Sequence, residues 1–114
     1  MPTKKNPLKL NPLQLRTLAL FQELARYPDT ATKDEASGEV TIAALPHIHG
    51  NHVHIGRFLV SSRDASGLTN EAVWVALSRK GLARSDFPEG LTLLPAGVEY
   101  DTGLTESLLG HSDH

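Results

Sequence analysis

The sequence predicts a small single α+β domain carrying a His-rich β-hairpin, and three observations lead there. Apolar residues recur at helical spacing from Asn11 to Arg26 and again from Asn70 to about Lys80. Between those stretches the chain alternates apolar and polar residues around Gly50-Asn51, a dipeptide suited to a two-residue hairpin turn. With 114 residues the chain suffices for one domain, whose folding buries about two thirds of the unfolded surface.

Residues 1–10 are polar, basic and Pro-containing, which predicts a flexible arm ahead of a domain over 11–100. Asn11 is a good N-cap and Pro12 suits the first helical position. Leu15, Leu18, Ala19 or Phe21, and Leu24 then mark one apolar stripe, ended by Tyr27-Pro28. The run from Asp29 to Gly38 has no apolar residue larger than Ala and reads as a solvated loop. Val40–Leu45 and His52–Val60 are β-compatible and read as the two arms of the hairpin, with Pro46 placing the first at an edge or bulge. Thr69 is expected to cap the second helix, which carries Val73, Ala76 and Leu77 inward and stops at Gly81. A Pro-Glu-Gly turn and a short strand Leu91–Leu94 follow, and residues 101–114 read as a tail.

The strongest functional pattern is Pro46 to Gly56, which contains four histidines as two His-x-His pairs. The Gly-Asn turn sets His49 opposite His52 and His47 opposite His54. Because strand side chains alternate, all four imidazoles are expected on one face. Cross-strand Cβ atoms stand roughly 4.5–5.5 Å apart, so His47, His49, His52 and His54 form a candidate transition-metal site. A nearly planar nitrogen set suits Cu(II) or Ni(II), while Zn(II) would take three of them or a ligand from His111, Asp113 or His114. The alternative is a polar strand face with ordinary solvated histidines.

Enzymatic motifs are weak. His52-x-His54 begins like the histidine triad of nucleotide hydrolases and transferases, but Gly56 occupies the nucleophile's position. No Gly-x-Ser-x-Gly elbow, P-loop or dinucleotide fingerprint occurs. The absence of cysteine excludes disulfides and thiolate metal sites, and no stretch approaches the ~20 apolar residues of a membrane span. MPTKKNPLKL has no apolar run of the signal-peptide kind, so a cytoplasmic location is expected.

Net charge is −2, unevenly spread: residues 1–33 hold six Lys or Arg, whereas the chain after Arg84 holds six acids and no Lys or Arg. Nucleic-acid contact would therefore need a local basic face built from Arg57, Arg63, Arg79, Lys80 and Arg84. The run GLTNEAVWVALSRKGLAR, followed by GLTLLPAG, resembles the recognition helix and wing of winged helix-turn-helix DNA-binding domains of the MarR type. Gly67, Leu68, Thr69 and Val73 match the turn and capping positions, and Lys80-Gly81-Leu82 and Leu91 to Gly97 match the helix stop and the returning wing strand. The resemblance covers residues of about 57–100 and implies a winged-helix-like core. It also implies that the second helix faces double-stranded DNA, with Asn70, Glu71, Arg79 and Lys80 as the polar residues able to read or grip it. Arg63 departs from the pattern, standing where that family's preceding helix takes a small residue.

Three functions follow as expectations: a non-enzymatic regulatory or nucleic-acid-binding protein, a small protein-interaction subunit or homodimer docking through the apolar helix around Trp74, and a His-based metalloenzyme. Burial of Trp74 is the feature that separates the first from the second, since soluble monomers seldom expose a large apolar patch.

Overall fold

The computed structural model describes residues 6–43, 45–46, 48–55 and 58–104, the side chains of Ile48, His49 and Phe58 excepted. In chain order the elements are α1 (Pro12–Leu24), β1 (Ala31–Lys33), β2 (Val40–Ile42), β3 (Ile48–His49), β4 (His52–Ile55) and β5 (Phe58–Ser61). A 3-10 turn (Ser66–Thr69) then leads to α2 (Glu71–Arg79), β6 (Ala83–Asp86), β7 (Gly90–Leu93) and α3 (Pro95–Glu99). The domain is α+β, and both of its sheets are antiparallel.

Helix α1 begins where its sequence dictates. Asn11 accepts from the Gln14 backbone at 2.8 Å and Gln14 returns the bond to the Asn11 backbone at 3.0 Å, a reciprocal capping box. Its buried stripe, Leu18, Leu20, Phe21 and Leu24, joins one core with Ile42, Val53, Ile55, Val60, Trp74, Leu77, Leu82, Leu91 and Leu93. Residues 6–10 lie against this body. The Leu8 amide donates to the Tyr100 hydroxyl, Tyr100 in turn donates to Asn6, and Leu10 is buried.

The strand pairing differs from the sequence expectation in three respects. The 29–38 loop contains β1, a polar edge strand whose Thr32 pairs with Thr41. Its polarity is that of a strand with most of its surface in water. Val40–Leu45 is not an arm of the histidine hairpin: β2 pairs with β1 and β7, in a sheet ordered β1-β2-β7-β6. Burial decides this, since Val40 and Ile42 point inward opposite Leu93 and Leu91. The run 52–60 is also two strands, β4 and β5, which pair with each other in a second sheet ordered β3-β4-β5. Asn70, not Thr69, caps α2, accepting from the Ala72 backbone at 3.0 Å. Helix α3, which the sequence reading lacked, starts on Pro95 as its first residue.

One close approach locks α1 to the 3-10 turn. Gly67 lies directly against Thr17, so a Cβ there would fall on the Thr17 hydroxyl and stand 2.9 Å from the Thr17 Cβ.

Candidate functional site

Trp74 organises the region around α2. It is fully buried, its Nε1 donates to the Gly67 carbonyl at 3.1 Å, and its ring meets Phe21 of α1 and Phe87 of the β6–β7 turn edge-on at 5.4 and 4.8 Å. Together with Val73 and Leu77 it fixes one face of α2 inward, leaving Asn70, Glu71, Ala72, Arg79 and Lys80 exposed. Glu71 in the first turn and Arg79 in the last both complement the helix dipole. Gly81, at φ +77°, takes the left-handed conformation that releases the chain into β6.

Of the predicted basic residues, Arg79 and Arg84 are brought together. They line one shallow cleft of about 500 Å³ between α2 and β6, with Val75 and Ala83 as its apolar part. Asn70 sits at the other end of the helix, about 13 Å along the axis from Arg79 at 1.5 Å per residue. Arg63 is exposed but lines a separate hollow with Asn51, Ser61, Ser62 and Asp64. Arg57 lies outside the described residues.

Arg84 has a partner that the sequence did not reveal. Its guanidinium donates to both Glu39 oxygens at 2.9 and 2.8 Å. That hydrogen bonding holds the Glu39 carboxyl below its ordinary value and raises Arg84 above its own. The partners are 45 residues apart, joined through the β2–β7–β6 pairing, and no local pattern marks the pair.

The histidine segment forms the β3–β4 hairpin. Gly50, at φ +62°, makes the turn, with His49 opposite His52 and Ile48 opposite Val53. Val53 and Ile55 are buried on one face of β4. His52 and His54 share the other, their ring centroids 5.0 Å apart and their planes nearly perpendicular, with Leu59 of β5 opposite His54. His52 Nδ1 also lies 3.3 Å from the Asn51 side-chain oxygen. His47, His111, Asp113 and His114 lie outside the described residues, as does the His49 side chain. Among the described residues no group of three or more His, Asp or Glu side chains is placed to hold a metal ion, and the pair that could contribute ligands is His52 with His54.

No family model, curated protein or solved structure matches the chain. No helix among the described residues is long and apolar enough to cross a membrane.

Proposed function

We propose that the chain is a non-enzymatic DNA-binding regulatory protein that presents α2 and the β6–β7 wing to double-stranded DNA. The observation that carries this reading is the presentation of α2. Its apolar side is fixed by Trp74 while Arg79, Lys80 and Asn70 face solvent, and the hairpin that follows places Arg84 beside Arg79. The element order supports it as well. Taken without β1 and β3–β5, the order is α1, β2, α2 and the β6–β7 hairpin, and β2 pairs with β7, an arrangement that a winged-helix-like core shares. Where such a core has a further helix before the recognition helix, this chain has β3–β5 and a 3-10 turn. Burial of Trp74 removes that residue as an anchor for a protein partner.

A mobility-shift assay with duplex DNA at low salt tests the reading. The wild type is expected to shift the duplex, and the double variant Arg79→Glu, Lys80→Glu to lose the shift. A wild type that leaves the duplex unshifted would refute it.

The hairpin adds a second element, a transition-metal site for Ni, Cu or Zn. The shared face of His52 and His54 favours it, and the backbone register sets His49 opposite His52.

A further inference from the structure

One cavity lies away from both α2 and the histidines. It encloses about 540 Å³ between α1, the β1–β2 hairpin and α3, within the size range of small-ligand sites. Ala19, Val40, Pro95 and Val98 supply apolar wall.

Two acceptors of unusual placement line this apolar space. Glu23 is 3% exposed, and a carboxylate offers about four acceptor positions, of which the Tyr27 hydroxyl at 2.7 Å and Arg26 Nη1 at 3.3 Å occupy two. The Arg26 bond is long for a charge-assisted contact, and the Arg26 side chain is 69% exposed. Gln22 spends its amide hydrogens on the Gly97 and Tyr100 carbonyls at 2.9 and 2.8 Å, which leaves its side-chain oxygen as an acceptor.

We propose that this cavity binds a small primary amine with an apolar body, its ammonium received by Glu23 and Gln22. An ammonium brings three donors and no acceptor, which is the complement of two acceptor-rich side chains. The positive groups at the cavity lie largely in water, Lys33 exposed and Arg26 69% exposed, although Arg26 Nη1 reaches the Glu23 carboxylate at 3.3 Å. Solvent screens them, whereas the Glu23 charge acts from a buried position. The apolar body of the ligand covers Val98, which is 37% exposed at the rim. The inference is independent of the DNA-binding reading, because it uses no residue of α2 or the wing.

The test is a two-dimensional NMR titration of the full chain with leucinamide and with N-acetyl-leucinamide, in phosphate buffer because Tris is itself a primary amine. Leucinamide is expected to move the amide signals of Ala19, Val40 and Val98, and acetylation, which removes the ammonium, to weaken binding at least about tenfold. Glu23→Gln is expected to erase that preference. Val98→Lys places a like charge at the rim without entering the core, and is expected to weaken leucinamide in a chain that keeps the wild-type melting temperature. Equal binding of the amine and its acetylated form would overturn the proposal, as would unmoved Ala19, Val40 and Val98 signals up to about 10 mM leucinamide.

Discussion

Replacing Trp74 with alanine tests the packing that presents α2. The substitution empties a fully buried site, removes both edge-on contacts with Phe21 and Phe87, and strips the Gly67 carbonyl of its indole donor. Trp→Ala in a core costs about 3–5 kcal/mol. The two ring contacts account for about 1–3 kcal/mol of that and the hydrogen bond for about 1 kcal/mol. In a domain of this size about 4 °C of melting temperature corresponds to 1 kcal/mol, so a fall of roughly 12–20 °C is expected. Circular dichroism melts of the two proteins measure it. Since the chain has one tryptophan, its fluorescence in the wild type gives an independent reading, a blue-shifted emission poorly quenched by acrylamide. A melting temperature within about 4 °C of wild type, which corresponds to about 1 kcal/mol, would refute the claim that Trp74 joins α1, α2 and the β6–β7 turn.

Gly67→Ala forces a methyl group onto Thr17 and is expected to cost about 1–3 kcal/mol by overpacking. Thr17→Ala should relieve part of it, so a denaturant double-mutant cycle shows coupling of stabilising sign. Glu39→Gln removes a carboxyl whose folded value is held down by Arg84. Its contribution is present above the ordinary value of 4.5 and fades as pH falls through the lowered folded value, so the variant should lose that part of the wild type's acid destabilisation in melts recorded across pH 2–6. The same change frees Arg84 from an anion and should tighten DNA binding. His52→Ala should weaken Ni(II) or Cu(II) binding measured by calorimetry, and wild-type binding should fall on acidification, because each imidazole ligand must shed its proton.

What the sequence disclosed was local. Asn11 with Pro12 and Gln14 specifies the α1 start within one turn of chain, and Gly50-Asn51 specifies a hairpin whose register follows from the turn itself. The buried face of α2 was legible from the spacing of Val73 and Leu77. The sheet partners were not. β2 meets β7 across some 50 intervening residues, and a three-residue strand carries too few side chains to announce which partner its Val40 and Ile42 will face. For the same reason the Glu39–Arg84 pair and the Glu23 cavity, both assembled from distant segments, left no pattern in the chain. β1 was hidden by its composition, because an edge strand exposed to water is as polar as a loop.

The most direct test of the DNA-binding account is the salt dependence of affinity for a fluorescently labelled duplex, followed by anisotropy. Three phosphate contacts, from Arg79, Lys80 and an Arg84 that exchanges Glu39 for phosphate, give a slope of about −2.7 in log affinity against log salt. The double variant Arg79→Ala, Lys80→Ala is expected to flatten the slope to about −0.9. Absence of binding at low salt, or a slope that the double variant leaves unchanged, would contradict the account.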